Sequence, residues 1–204
     1  IYFGNGLFIG EEADILVLYH RAGVYYGKVK SLTKISPNRI QPKCKVCTIC
    51  GGCQYQQIKY EEQLKYKTNR VKEALARIAH IKDVDVNTCI GMDNPYYYRN
   101  KSQVPFGVDY KGRVVFGFFK ENSHEIVPNK ECVIEDKRSA SILWSIKELA
   151  ERYKLPIYNE DKGTGLLRYV LIRTSIHYDE LMVVLVTSEM NFPGQRNFIN
   201  ELVR

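Results

Sequence analysis

Short apolar runs separated by glycines open the chain. The runs Ile15–Tyr19 and Val24–Val29 have the length and the β-branched and aromatic content of strands. The Gly4–Gly6 segment and Gly10 precede them at positions where turns are expected. We therefore predict that residues 1–36 are all β.

A helical period replaces this pattern after residue 59. Apolar residues recur on one stripe between Tyr60 and His80, which predicts one long helix. The stripe consists of Leu64, Val71, Leu75 and Ile78. The opposite side of the helix is basic and carries Lys65, Arg70 and Lys72.

Two β-hairpins are predicted in the second half of the chain. Ser102–Phe106 and Arg113–Phe119 flank a short polar turn that ends at Gly112. A second hairpin joins Leu166–Ile176 to Leu181–Thr187. Both hairpins predict antiparallel pairing between strands that are neighbours in sequence.

Two helices accompany these hairpins. Helical spacing predicts the first over Asp136–Tyr153, and Asn191 with Pro193 marks the start of the second. The fold class expected from all these elements is α+β. The all-β segment should come first, then a cysteine knot, and then a central domain that mixes antiparallel sheet with helices.

Composition and charge narrow the possible partners. The chain has 204 residues, of which 45% are hydrophobic and 26% are charged, as in an ordinary globular protein. Its longest aliphatic run, Leu181–Val186, is far too short to cross a bilayer. We therefore expect no membrane partner and a cytoplasmic location, where thiols stay reduced.

The net charge of +7 is concentrated between Lys59 and Lys82, where seven basic residues stand against three acidic ones. Such an excess favours phosphate-rich partners. A solvated lysine face is the alternative interpretation.

Four cysteines lie within ten residues, and clustered thiols in a reducing compartment indicate a soft metal centre. Cys44, Cys47, Cys50 and Cys53 alone could bind zinc, although structural zinc usually takes two separate ligand pairs from different turns. The first three with a distant cysteine would follow the ferredoxin spacing. A third set omits Cys47 and adds Cys132, with intervening gaps of five, two and 78 residues.

The glycine pair Gly51–Gly52 favours an iron–sulfur cluster, because glycines let the chain wrap closely around a cubane. A simple tight turn is the other explanation for these glycines. The choice between iron and zinc stays open on the spacing alone.

A series of short motifs follows the cysteines in a fixed order. They are Cys44, Cys50-Gly-Gly-Cys53-Gln54, a basic helix, Tyr98-Arg99-Asn-Lys101, Gly117-Phe118, Ile126-Val127-Pro-Asn-Lys-Glu-Cys132, Gly165-Leu-Leu-Arg168, Ile172-Arg173 and Met182–Val186. This order of motifs resembles the bacterial RNA uracil-5-methyltransferase family, the enzymes that make 5-methyluridine in 23S ribosomal RNA and in transfer RNA. The resemblance runs from about Gly4 to the end of the chain.

This resemblance implies a 4Fe–4S cluster on Cys44, Cys50, Cys53 and Cys132. It also implies an OB-like, RNA-binding TRAM domain at the start. The expected domains are a partial TRAM-like RNA-binding β domain (1–36), the iron–sulfur cysteine knot (37–58), a basic amphipathic helix with a linker (59–88), a central α+β RNA-recognition domain that completes the cluster (89–192), and the start of a connection to a methyltransferase domain (193–204).

Members of the family methylate carbon 5 of uracil after a cysteine thiolate adds to carbon 6, with S-adenosylmethionine as the methyl donor. No glycine-rich loop of a cofactor-binding domain follows a strand here. The chain lacks an initiator Met and ends within a helix-like sequence, so we expect a fragment that contains no catalytic or cofactor-binding residue and is inactive by itself. Cys89 is expected to be a buried structural residue.

Basic residues interleaved with aromatic ones are typical of single-stranded RNA binding, although the tyrosines of 96–98 could instead cover a sheet. The RNA-binding candidates are Arg99, Lys101, Gln103, Phe118, Lys120, His124, Arg168 and Arg173. Arg168 and Arg173 are an odd number of positions apart, so a straight strand would direct them to opposite faces and only one would meet RNA.

The resemblance favours a 23S ribosomal RNA loop over transfer RNA as the substrate, and we expect a monomer. The competing interpretation is a stand-alone RNA-binding module with zinc or an iron–sulfur cluster and no catalytic activity.

Overall fold

The chain forms two compact units, one from residues 1–43 and 53–93 and the other from residues 44–52 and 94–204. The computed structural model describes residues 2, 3 and 6–204, with the side chains from residue 6 onward. The predicted turn at Gly4 and Asn5 lies outside the described residues. Three helices and mainly antiparallel strands confirm the α+β class, whereas the predicted domain boundaries stay a prediction.

The first unit contains a three-stranded sheet and one helix. Its elements are β1 (Tyr2–Phe3), β2 (Glu12–Arg21), β3 (Val24–Lys34) and α1 (Tyr60–Arg77), and the strand order is β1-β3-β2. β2 and β3 form an antiparallel hairpin with three register irregularities, and β1 runs parallel to β3. Gly27 is needed in this hairpin, because a Cβ there would lie 2.4 Å from the Leu16 carbonyl oxygen.

A buried ion pair stabilises the chain just before and after this sheet. The Glu11 side chain is completely buried, and both of its oxygens accept hydrogen bonds of 2.6 Å from Arg39. The backbone N–H groups of Phe8 and Ser36 also donate to this carboxylate, and Arg39 donates to the Gly6 carbonyl oxygen. The pair therefore ties residues 6–11 to residues 36–39.

Helix α1 forms where predicted, but its apolar stripe is not a buried face. Thr68 is the helix's buried residue, while Val71 and Ile78 are 49% and 80% exposed. Periodicity indicates which residues share a helix face, and it does not guarantee that a neighbour covers that face. Cys89, expected to be buried, is half-buried, and its N–H donates to the Thr68 hydroxyl.

The second unit is a five-stranded sheet with two helices. Its elements are β4 (Lys101–Val108), β5 (Val114–Phe119), β6 (Ile126–Pro128), α2 (Lys137–Arg152), β7 (Leu167–Ser175), β8 (Glu180–Thr187) and α3 (Gln195–Leu202). The strand order is β6-β5-β4-β7-β8, and every neighbouring pair is antiparallel. Both predicted hairpins are present, and Asp136 caps α2 by accepting a hydrogen bond from the Arg138 N–H.

One hydrophobic core lies between this sheet and its helices. Ile146 of α2 and Phe198 of α3 are fully buried against the sheet, as are Leu167 and Val170 of β7. The alternation of strand side chains puts the other residues of β4 and β7 on the opposite face. Lys101 and Arg173 on that face are exposed.

We predict that Glu11→Gln destabilises the chain at neutral pH by about 3–5 kcal/mol, because it leaves the Arg39 charge buried without its partner. Arg39 holds the Glu11 pKa at about 2, below the ordinary 4.5. The stabilisation is therefore complete above about pH 4.5 and is lost as pH falls towards 2.

Urea unfolding at neutral and acidic pH tests this, with the exposed Glu12→Gln as the matched control. The Glu11 variant should show a weaker acid dependence than the native chain, and the control should change stability by less than about 0.5 kcal/mol. Equal effects of the two substitutions would contradict the role of the buried pair.

Candidate nucleic-acid interface

Two basic predicted residues face each other across neighbouring strands. In the pairing of β4 with β7, Lys101 is directly opposite Arg173, and Gln103 is opposite Leu171. Directly opposed side chains lie about 4.5–5.5 Å apart at Cβ, and like charges in such a pair repel. Within the described residues, neither Lys101 nor Arg173 forms an ion pair, so their positive charges are available to an anion.

The apolar edge of the same face adjoins this pair. Met182 of β8 is opposite Arg173 and is 48% exposed, and Val184 is opposite Leu171 and 40% exposed. The uninterrupted apolar run 181–186 shows no alternation, so the sequence alone does not reveal that Met182 lies on the exposed face. The exposed face thus combines two cations with an apolar surface.

Arg168 lies off the core face for a reason that the sequence did not reveal. A register irregularity in the β7–β8 pairing falls between Leu167 and Tyr169, so the alternation shifts at Arg168. Leu167 and Ile172 both enter the core despite their odd separation. The expectation that Arg168 and Arg173 face opposite sides assumed a straight strand, which β7 is not at Arg168. Both side chains are exposed.

The Arg168 charge is already paired within the protein. Its guanidinium donates two hydrogen bonds, of 2.6 and 2.7 Å, to Glu160. It also lies over the rings of Tyr158 and Tyr169, 5.0 and 5.3 Å from their centroids. The hydrogen bonds from Arg168 lower the pKa of Glu160, and the same pairing raises the pKa of Arg168.

The loop after β5 carries two more predicted contacts in weaker pairs. Lys120 lies 3.1 Å from Glu125, and His124 Nδ1 lies 3.0 Å from Asp161. All four side chains are at least half exposed, so these pairs contribute little stability and a phosphate can compete for the cations. Phe118 is half-buried and packs against the core.

Arg99 lies beside the start of α2. Its N–H donates to the Ile134 carbonyl oxygen, and its carbonyl accepts from the Asp136 N–H. Burial raises the pKa of the nearby Glu135, and the Arg99 charge offsets part of that effect. Arg99 thus has a backbone role in joining β4 to α2.

The cysteine segment is bound to the end of β5. Cys50 forms an isolated antiparallel bridge with Lys120, and the Gly51 N–H donates to the Phe119 carbonyl oxygen at 3.2 Å. The Gly52 N–H donates to the Cys50 sulfur at 3.4 Å. These bonds fix the backbone of residues 50–52 on the second unit.

The thiols differ in burial. Cys44 and Cys47 are buried, Cys50, Cys53 and Cys132 are half-buried, and all are thiols. Among the described residues, no group of three or more His, Cys, Asp or Glu side chains is placed so that it could hold a metal ion. The ligand set of Cys44, Cys50, Cys53 and Cys132 therefore stays a prediction.

A large groove in the second unit has a volume of about 800 Å³ between α2, β8 and α3. Apolar side chains such as Ile142, Val183 and Phe192 line it together with a few uncharged polar ones, and no charged side chain does. S-adenosylmethionine carries a charged ammonium and a charged sulfonium, and burying two positive charges in an apolar groove without a carboxylate is costly. This groove does not fit that cofactor.

Comparison with known proteins relates the chain to RNA methyltransferases. The chain is 39% identical over 200 residues to an uncharacterized RNA methyltransferase of Clostridium tetani, covering 98% of this chain and 43% of that protein. It is 37% identical over 204 residues to one of Halalkalibacterium halodurans, covering 98% and 44%. The chain thus spans less than half the length of these relatives. No protein-family model matches it.

A solved structure has a similar fold. The tRNA (uracil-54, C5)-methyltransferase of Pyrococcus abyssi, in complex with S-adenosyl-L-homocysteine, is 27% identical and superimposes with a TM-score of 0.65, covering 93% of this chain and 42% of that one. Both similarities extend over more than nine-tenths of this chain, and they therefore include residues of both units. In the part of the chain that the structure describes, no helix is long and apolar enough to span a bilayer.

We predict that Arg173→Glu raises the free energy of unfolding by about 0.2–1 kcal/mol, because it replaces a repulsive cross-strand pair with an attractive one. The gain should shrink at high salt, since the pair is exposed. Urea unfolding at two salt concentrations measures both effects. Arg173→Gln is the neutral control, and its free energy of unfolding should lie between those of the native chain and the Arg173→Glu variant. A destabilised Arg173→Glu variant would show that Arg173 has a structural partner instead.

Proposed function

We propose that this chain is the RNA-recognition and iron–sulfur portion of an S-adenosylmethionine-dependent RNA uracil-C5 methyltransferase. The observation that carries the proposal is the Lys101–Arg173 pair on the exposed sheet face. Two opposed cations without an acidic partner cost stability in the free chain. A phosphodiester bound between them would relieve this repulsion and accept a charge-assisted hydrogen bond from each cation.

RNA contacts on this face would differ in kind. Lys101 and Arg173 would bind phosphate, whereas Gln103 beside them could donate to and accept from a base edge. Lys120 and His124 would exchange their exposed carboxylate partners for phosphate. Arg168, already held by Glu160, would keep Tyr158 and Tyr169 in position beside the RNA and contribute less charge.

The RNA is proposed to be a single-stranded loop, because uracil carbon 5 can be methylated only in an unstacked base. A 23S ribosomal RNA loop is our first candidate, from the resemblance of the cysteine motif to the ribosomal RNA enzymes. Transfer RNA is the second, since the structural neighbour is named for uracil 54 of tRNA. Measuring the affinity of the chain for each RNA separately distinguishes the two candidates.

The methyl-transfer chemistry would be supplied when S-adenosylmethionine is bound. Neither the large groove described above nor a recognisable loop motif in this chain suits that cofactor. We propose that methyl transfer depends on the part of the relatives that this chain does not match. This chain would bind the RNA, act as a monomer in the cytoplasm and perform no catalysis by itself.

The proposed cluster ligands are Cys44, Cys50, Cys53 and Cys132. Their donor chemistry fits a 4Fe–4S cluster: all four are soft thiols, none is fully exposed, and the sulfur of Cys50 already accepts an N–H bond, as cluster ligands commonly do. The Gln56 side chain offers a similar bond to the Cys53 sulfur at 3.2 Å. The cluster would join the cysteine knot to the RNA-recognition domain, and residues 1–36 would be part of a TRAM-like barrel.

We predict that Lys101→Ala and Arg173→Ala each weaken RNA binding and flatten its salt dependence. Log affinity for a single strand should fall with log salt, with a slope that loses about 0.7 for each phosphate contact removed. Fluorescence anisotropy between about 50 and 200 mM salt measures the slope. Lys111→Ala, in the exposed turn of the first hairpin, is the matched control and should leave the slope unchanged. Salt-independent binding, or equal slopes in all variants, would contradict the interface.

We also predict that the chain purified without oxygen is brown and contains iron and labile sulfide. Cys132→Ser should lose most of the iron, because it removes a ligand far from the others in sequence, whereas Cys47→Ser should keep most of it. The iron content and the visible spectrum of the two variants show which cysteines bind the cluster. Equal loss in both variants would favour the ferredoxin-like set, and a colourless chain with stoichiometric zinc would exclude the cluster.

A further inference from the structure

The two edges of the five-stranded sheet in the second unit differ in kind. β6 forms one edge and β8 the other, and among the described residues no further strand pairs with either. β6 has only three residues and ends at Pro128, which has no N–H to donate. β8 has eight residues, no proline and no charged side chain after Glu180. A long apolar edge of this kind readily pairs with another strand.

Apolar side chains are exposed on both faces of β8. Val183 and Leu185 pack against the core, so alternation places Leu181 on the core side as well, where it is 42% exposed. Met182 and Val184 lie on the other side and are 48% and 40% exposed. A partner on one face only, such as a helix, would leave the other face and the backbone edge uncovered.

The large groove between α2, β8 and α3 adjoins this edge on the core side. Leu181 and Val183 of β8 line it, together with Ile142 of α2 and Ile199 of α3. Its volume of about 800 Å³ can hold several aliphatic side chains. A charged group would be unfavourable there, because no charged side chain lines the groove to act as its partner.

We infer that the edge of β8 pairs with a further strand, whose apolar side chains at alternate positions fill the groove. The source of this strand is the part of the relatives that this chain does not match, which is more than half of the length of each. The backbone of the strand would pair with β8, and its two faces would cover Leu181 on one side and Met182 and Val184 on the other. The inference does not depend on RNA binding, and it names the surface that would join this chain to the rest of such a protein.

A second copy of this chain is the competing occupant of the edge. Two β8 strands paired about a two-fold axis would satisfy the same backbone groups. The core-side residues Val183 and Leu185 of the second copy already pack against their own core, however, and could not fill the groove of the first. A strand from the unmatched part of the longer proteins has no such commitment, so it can satisfy the backbone edge and the groove together.

The test compares hydrogen exchange in the 204-residue chain with that in the full-length relative of Clostridium tetani, resolved to single amides by fragmentation mass spectrometry. In the chain alone, the β8 amides that do not bond to β7 should exchange rapidly. In the relative, the same amides of the aligned strand should exchange about tenfold or more slowly, because they bond to the added strand. Strand β6 is the matched control, and its exchange should be the same in both proteins.

A lysine at the groove tests the contribution of the side chains. Leu181→Lys in the 204-residue chain should leave its exchange unchanged, because the side chain at this position can stay in water. Lysine at the aligned position of the relative should return the strand to the rapid exchange of the isolated chain, because the charge would be buried under the added strand. Lysine at the position of Ile176, which is 76% exposed just beyond β7, is the control and should change neither protein.

Equal exchange of the aligned strand in the two proteins would overturn the inference, as would a slowing that is spread evenly over the sheet and includes β6. Slow exchange of β8 in the isolated chain, rising with protein concentration and accompanied by a dimer in sedimentation, would identify a second copy as the occupant and would also overturn it. RNA binding by the 204-residue chain is measured separately, so either proposal can fail while the other stands.

Discussion

The antiparallel pairing of β4 with β7 is the constraint on which the second unit depends. It directs Val104 and Val170 into the core from the central strands of the sheet. The pleat then forces the intervening residues outward, which places Lys101 opposite Arg173. A slip of one residue would exchange core and surface along the whole strand, so burial of the core residues also fixes the position of the two cations.

The exposed face therefore carries a repulsion that folding alone does not require. Other cations of this unit have partners: Arg168 binds Glu160, and Lys120 binds Glu125. An opposite-charge pair at this position would be more stable than two cations. Two opposed cations are therefore useful only if the face binds an anion. The predicted RNA contacts can be ranked in the same way, because a cation that is already paired within the protein has less charge available for RNA.

Sequence periodicity located the strands and helices well, because alternation and helical spacing follow directly from local geometry. It failed where the outcome depends on other segments. The irregularity at Arg168 is a property of the β7–β8 pairing and leaves no mark in composition. Likewise, the stripe through Val71 is a correct helix face, yet burial depends on what packs against it. The pairing of Arg168 with Glu160 joins a strand to a loop, and charge patterning alone could not select that partner.

The cysteine motif was recognisable from spacing, whereas its attachment to the sheet was not. Cys50 and Gly51 bond to the backbone of Lys120 and Phe119, at the end of the strand that also carries Phe118. A cluster bound through Cys50 would therefore restrain the loop that presents Lys120 and His124. The proposed role of the cluster is therefore to position this loop, and it needs no redox step. Removing the cluster would loosen the loop that presents these two side chains to RNA. Under that proposal, cluster loss should weaken RNA binding through the Lys120 loop while the Lys101–Arg173 pair, fixed by the core, keeps its register.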